Sequence, residues 1–282
     1  MLQETIDLFA YYNFPRGDAK GGYLRCFRHS PMPEMSRTLL RPAMLVFPGG
    51  GYSALSQREE EPVATEFYAA GYDAFTLKYD LAPACYPLQL QEAAMAVAYL
   101  HENAEKLCLL PDKIAAAGFS AGGHLLGCVF ALWDDPAVRA VLGDRCAAAR
   151  PDAAVFGYPV VTSDPRVWHE GSFVNFCGGK VNADDYSIEK KVRRGCPPAF
   201  IWGNTPDDCV PAQNFVRLYA ACLEQGVPAE LHIFRDGWHG MSVCNEEVSG
   251  LPLPAACTYS QPWLPLCKTF LRTLDFAVRE RA

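Results

Sequence analysis

Three residues of this 282-residue chain have the types and settings that nucleophilic catalysis needs: Ser120, Asp207 and His239. Ser120 lies in Gly118-Phe119-Ser120-Ala121-Gly122, between the apolar run 113–117 and a second apolar, helix-like run, 123–133. A serine in G-x-S-x-G between a strand and a helix sits on a sharp turn that lifts its Oγ clear of the sheet. Glycines flank it because the turn leaves little room for side chains. The first turn of the following helix points free N–H groups at whatever Ser120 attacks. A hydroxyl is a weak nucleophile until a base takes its proton, and the base needs a carboxylate to orient it. His239 follows the last strand-like run, in Gly237-Trp238-His239-Gly240, and Asp207 follows the run before it. The pentapeptide alone also fits an ordinary glycine-rich turn; an acid and then a histidine downstream separate the two readings. Asp208 competes for the role of acid. The D-x-x-V-P spacing from Asp207 to Val210-Pro211 favours Asp207, and Asp208 is expected to cap the following helix.

An acyl-transfer serine also needs donors for the developing oxyanion. The buried run 43–47 leads into Pro48-Gly49-Gly50-Gly51-Tyr52. Glycines after a strand let the backbone approach a ligand and turn its N–H groups towards it. Alone, this is equally a flexible turn. Paired with Ser120, the N–H groups of Gly50, Gly51 and Ala121 form the expected oxyanion hole, each donor worth roughly 3–4 kcal/mol. No G-K-[ST] follows, so a phosphate loop is not indicated. Tyr52 and His169 are candidate substrate contacts. His124 reads as structural, His101 lies on a helix face, and His232 alternates within a strand.

The elements that must position these residues alternate strand and helix. Strands are expected at 23–28, 43–47, 72–79, 114–117, 153–157, 198–203 and 229–234, with helices at 59–70, 88–105, 123–133 and 211–225. The pattern predicts an α/β domain over 1–282 with a mostly parallel central sheet, whose ligands bind at the carboxyl ends of the strands. Residues 158–196 break the rhythm with Pro159, Trp168, His169, Phe173 and Phe176, and read as a small cap or lid insertion. The stretch 29–42 is a proline-bearing connection, 245–260 a loop and 261–281 a final helix.

Half of the residues are hydrophobic, ample for one large core, and the formal net charge is −7. Basic residues cluster no further than Lys190-Lys191 and Arg193-Arg194, so a nucleic-acid partner is not expected. No stretch of about 18 apolar residues offers a membrane span. The first residues carry no basic segment followed by an apolar one, so a cytoplasmic location is expected. The 12 cysteines form no C-x-x-C pair and are expected as free thiols. The six histidines show no H-E-x-x-H, so neither a metal nor a cofactor is expected. A small-molecule ester is the expected partner; a homo-oligomer is left open.

Five stretches in sequence order carry a family resemblance: Phe47-Pro48-Gly49-Gly50-Gly51-Tyr52, Lys78-Tyr79-Asp80-Leu81-Ala82-Pro83, Gly118-Phe119-Ser120-Ala121-Gly122-Gly123-His124, Pro206-Asp207-Asp208-Cys209-Val210-Pro211 and Gly237-Trp238-His239-Gly240. Together they resemble the α/β-hydrolase superfamily, and within it the hormone-sensitive-lipase-like and acetyl-xylan-esterase-like carboxylesterases. The resemblance implies the α/β-hydrolase fold and a Ser120-Asp207-His239 triad acting through an acyl-enzyme. It departs in two places: Pro48 stands where the family commonly has His before its glycines, and Asp80 where an arginine is common. The short segment 1–42 resembles that of esterases of short acyl groups, chiefly acetyl groups on sugars such as xylo-oligosaccharides. Two alternatives stay open: an arylformamidase-like amidohydrolase, and a non-catalytic binding protein on a hydrolase scaffold. Neither the natural ester, the acyl length nor the role of the insertion can be read from the chain.

Overall fold

In a computed structural model, which describes residues 1–281, the carboxyl ends of the central strands bring the motif loops side by side. The strands among these residues are β1 (Leu2–Asp7), β2 (Tyr23–Arg28), β3 (Leu39–Phe47), β4 (Asp73–Lys78), β5 (Leu109–Phe119), β6 (Ala153–Gly157), β7 (Ala199–Asn204), β8 (Ala229–Phe234) and β9 (Arg279–Glu280). The sheet order is β1-β2-β4-β3-β5-β6-β7-β8, with β9 pairing the start of β3. Strands β3 to β8 run parallel to one another, while β1 and β2 are antiparallel additions at one edge. Register does the positioning. Phe47 pairs with Gly118, and Phe119 with Gly157, so the glycine loop after β3 abuts the Ser120 turn after β5. Asn204 pairs with Phe234, so the Asp207 and His239 loops leave the sheet together.

The continuous apolar character of β3 and β5 reflects burial on both faces. Leu45 and Phe47 of β3 and Ala116 of β5 face one core, packed by the helices Leu88–Glu102 and Ala121–Ala131. Met44, Val46, Ala115 and Ala117 face the other, packed by the helices Glu61–Ala69 and Trp263–Thr273. Period-two alternation thus splits each strand between two layers of helices. This is the mostly parallel, helix-flanked sheet expected.

The ends of the chain differ from expectation. β1 has no alternating apolar face because it is an exposed edge strand. Residues 261–281 do not form one helix. A short helix, Ala255–Ser260, stops before Pro262, and the next ends at Thr273 ahead of Asp275, whose φ is +66°. The chain then returns as β9 to pair with Leu39 and Leu40. The loop expected at 245–260 also holds a one-turn helix, Glu246–Ser249. The helix after Asp207 is Gln213–Glu224, and its N-cap is Ala212, so Asp208 does not cap it: the turn Cys209-Val210-Pro211 intervenes.

Candidate active site

Ser120 ends β5 and begins the helix Ala121–Ala131 with φ +53° and ψ −122°. Such a conformation costs a non-glycine residue on the order of 1–3 kcal/mol and persists only when its surroundings fix it. Here they do: the Ser120 N–H donates to Gly157 O (3.0 Å), and Ser120 O accepts from the N–H groups of Val160 (3.0 Å) and His124 (3.2 Å). A Cβ on Gly122 would lie 2.5 Å from Pro48 O, so only glycine lets the helix start under the glycine loop.

The Ser120 hydroxyl lies 2.8 Å from His239 Nε2, and His239 Nδ1 lies 2.8 Å from Asp207 Oδ2. A carboxylate only accepts, so Nδ1 carries the proton and Nε2 is left to accept from Ser120. Asp207 is fixed in turn, its Oδ1 accepting from the N–H groups of Cys209 (3.0 Å) and Val210 (2.8 Å). The Asp207 side chain is fully buried. Asp208 is exposed and takes no part in this chain of bonds. The one exposed cysteine, Cys209, sits beside them. Desolvation and the Asp207 and Asp208 carboxylates push its thiol up, so it is not primed as a competing nucleophile.

The loop 48–52 is held from several sides. Tyr79 O–H donates to Pro48 O (2.6 Å), Gly49 N–H donates to Glu59 Oε2 (2.8 Å), Asn175 Nδ2–H donates to Gly51 O (2.8 Å), and Ala82 N–H donates to Tyr52 O (2.8 Å). The N–H groups of Gly50, Gly51 and Ala121 take no acceptor among the described residues. Free N–H groups next to a serine hydroxyl can receive an oxyanion.

The structure brings Ser120, Asp207, His239, Gly50, Gly51 and Ala121 together, and His169 with them. His169, half-buried, has its ring edge beside Gly51, and its Nδ1 accepts from Ser172 N–H (3.2 Å). Burial, and then the nearby His239, lower its proton affinity and favour the neutral ring. Tyr52 is not at the opening. It is 0% exposed and its O–H donates to His124 Nδ1 (2.8 Å), because the loop turns at Tyr52 (φ +59°) and drives the ring inward. The substrate contact expected of Tyr52 is therefore corrected to an internal anchor. His124 is buried and bonded at both nitrogens; His101 bonds to Pro111 O and Arg150 O, and His232 to Glu230, all away from Ser120.

Two residues escape a reading of the sequence alone. Glu59, expected only as the first residue of the helix 59–70, is 2% exposed, and its Oε1 accepts from Tyr158 O–H (2.7 Å). Tyr158, read as the first residue of the insertion, packs edge-on against the His239 ring at 5.0 Å. No local pattern marks either, since their partners are remote in sequence. A cavity of about 680 Å³ opens elsewhere, among Arg28, Met32, Arg41, Asp73 and Arg281 near the amino ends of β3 and β4, the far side of the sheet from Ser120. Among the described residues no cluster of His, Cys, Asp and Glu could hold a metal ion, and no helix is long and apolar enough to cross a membrane.

Known proteins resemble this chain along most of its length. The family model described as BD-FAE matches residues 32–136, which include the glycine loop and Ser120. Endo-1,4-beta-xylanase B of Butyrivibrio fibrisolvens is 33% identical over 219 residues, 73% of this chain and 33% of that protein. Acetylxylan esterase of Xylanibacter ruminicola is 29% identical over 206 residues, 70% of this chain and 40% of that protein. The chain thus spans well under half the length of these two curated relatives. Among solved structures, the acetyl ester-xyloside bifunctional hydrolase from Caldicellulosiruptor lactoaceticus is similar with a TM-score of 0.79 and 30% identity, covering 97% of each chain.

Proposed function

The chain belongs to the carboxylesterases of the α/β-hydrolase superfamily, and from that premise we propose that it is a serine esterase of short-chain esters, chiefly acetyl esters carried by sugars such as xylo-oligosaccharides. The observation that carries the reading is the bond chain from Ser120 Oγ through His239 to Asp207, 2.8 Å at each step, set beside the free N–H groups of the glycine loop. In this mechanism His239 Nε2 takes the Ser120 proton as Oγ attacks the ester carbon. Gly50, Gly51 and Ala121 N–H groups receive the carbonyl oxygen as it becomes an oxyanion. His239 then protonates the leaving alcohol, leaving an acyl group on Ser120. Water, deprotonated by the same imidazole, releases the acid. Asp207 holds the imidazole in the tautomer each step needs. His169, beside Gly51, contacts the substrate, and the insertion 158–196 supplies that wall of the site.

The acetyl preference leans on what two relatives are named for, acetylxylan and an acetyl ester-xyloside. The xylanase match covers a third of that protein, so cleavage of xylan itself is not proposed. The test is a substrate panel with wild type and Ser120→Ala: p-nitrophenyl acetate, butyrate and octanoate, acetylated xylose, and N-formylkynurenine. Serine-dependent turnover that falls with chain length and includes acetylated xylose is expected. Preference for the formyl amide would replace the reading with an amidohydrolase. No serine-dependent turnover by the folded protein would favour a binding role.

A further inference from the structure

The geometry points to Glu59 as a positioning residue that ties the oxyanion-donor loop and the base-bearing loop to one buried carboxylate. The inference rests on the serine-esterase reading of the same site and adds a residue outside the three in the bond chain.

Glu59 lies in the turn Gln57–Glu59, just before the helix Glu61–Ala69. Its two oxygens go different ways. Oε2 accepts from Gly49 N–H at 2.8 Å, and Oε1 accepts from Tyr158 O–H at 2.7 Å. The Tyr158 oxygen then accepts from Ser242 N–H at 2.9 Å, three residues past His239. The neighbouring residue adds a parallel tie, Arg58 O accepting from Ser242 O–H at 2.5 Å. Glu59 therefore reaches the donor loop on one side and the base loop on the other. It also sits against the nucleophile's own turn: a Cβ on Gly49 would lie 2.7 Å from Glu59 Oε2 and 2.8 Å from both Phe119 O and Ser120 Cβ.

Two further facts fit a positioning role. Among the described residues Glu59 forms no ion pair, so a nearly buried carboxyl group is held by hydrogen bonds alone. Burying a polar carboxyl group is costly, and the bonds of this one run to Gly49 and Tyr158, beside the site. A carboxylate also accepts at both oxygens and donates at neither. With Gly49 N–H drawn inward to Oε2, the next two N–H groups, those of Gly50 and Gly51, are left without an internal acceptor, beside Ser120. Tyr158, locked by Glu59 and Ser242, holds its ring edge-on to His239. The loop is braced from Glu59, at Gly49 N–H, and from Tyr79, at Pro48 O.

Glu59→Gln tests the role, because the amide N–H₂ either faces Gly49 N–H and loses that bond, or faces Tyr158 and forces its hydroxyl to accept where it now donates. With p-nitrophenyl acetate, kcat and kcat/KM are expected to fall together by about 10- to 100-fold, with KM within about threefold, the pattern of a lost transition-state interaction. The affinity for 1,1,1-trifluoro-2-butanone should fall by the same factor. Ser120 Oγ adds to its carbonyl carbon, the π pair becomes an oxyanion on the donor loop, and the proton passes to His239. Tyr158→Phe removes the base-side arm alone. It should lower kcat/KM about tenfold or more, move the acid limb of the pH–rate profile, and decide the matter if Glu59→Gln does not fold. Folded variants with wild-type kcat/KM and ketone affinity would overturn the positioning role, as would a rise in KM at unchanged kcat. A wild type that neither turns over nor binds the ketone would instead overturn the esterase reading, and this inference with it.

Discussion

His124 makes acid stability a direct reporter of how the site is braced. It lies one turn into the helix that Ser120 begins, 1% exposed, with Phe173 and Phe176 packed edge-on at 4.9 and 5.0 Å. Nε2–H donates to Tyr186 O (2.9 Å), so Nδ1 is the acceptor for Tyr52 O–H (2.8 Å). One neutral imidazole thus links the glycine loop, through Tyr52, to the segment 158–196, through Tyr186. Burial lowers its pKa from 6.5 to about 4. The folded value lies below the unfolded one, so the unfolded chain binds this proton first as pH falls. The stability it contributes is present above about 6.5 and is lost as pH falls to about 4. At about 1.4 kcal/mol per pH unit, that interval removes ~3 kcal/mol, a large share of a typical 5–15 kcal/mol domain stability. The perturbation is His124→Asn, whose Oδ1 takes the place of Nδ1 as acceptor and cannot titrate. Urea unfolding of both proteins, followed by tryptophan fluorescence from pH 7.5 to 4.5, gives the difference directly. Wild type should lose up to about 3 kcal/mol more than the variant across that range. Parallel stability curves, or an NMR titration of the native His124 ring near 6.5, would refute the reasoning.

Two more outcomes follow from the same bonds. In Asp207→Asn an amide meets His239 Nδ1 where only an acceptor keeps the working tautomer, so kcat should drop by about 10⁴-fold in steady-state assays; Asp208→Ala, exposed and unbonded to His239, should stay within about twofold of wild type. Glu92, buried beside Asp80, accepts Asp80 N–H at 2.7 Å, and burial first, then Asp80, push its carboxyl well up. Its folded value is raised, so its stabilising contribution is present at low pH and lost as pH rises through that value. Glu92→Gln keeps the acceptor without the ionisation, and its thermal midpoint should gain on wild type between pH 5 and 9; a constant difference would count against a neutral Glu92.

The residues brought together at the strand ends were readable because local chemistry marks them. Ser120 sits in a glycine-flanked strand-to-helix turn, Asp207 follows an apolar strand and His239 an alternating one, so their convergence follows from a parallel sheet. The glycine loop announced itself in the same way. Tyr52 and Tyr158 did not. Both rings turn inward, at φ +59° and +35°, and those backbone angles come from tertiary fit rather than from any flanking pattern. Glu59 was hidden for a related reason: its bonds span 10 residues to Gly49 and 99 to Tyr158, and nothing in Arg58-Glu59-Glu60-Glu61 sets the first glutamate apart from the next two. The ends of the fold were obscured by weak hydrophobic patterning. β1 and β9 are exposed edge pairings that bury little, so backbone pairing places them. The final helix expected over 261–281 ends at Thr273, where Asp275 turns with φ +66° and the chain leaves for β9.

The most direct test of the central claim is to trap the covalent intermediate. Wild type mixed rapidly with p-nitrophenyl acetate and quenched in acid should release a burst of about one equivalent of p-nitrophenol. Peptide mass spectrometry should then find one acetyl group on Ser120, absent from Ser120→Ala, which should have lost turnover while keeping its fold. Acetyl on another residue, or turnover undiminished in folded Ser120→Ala, would contradict the account.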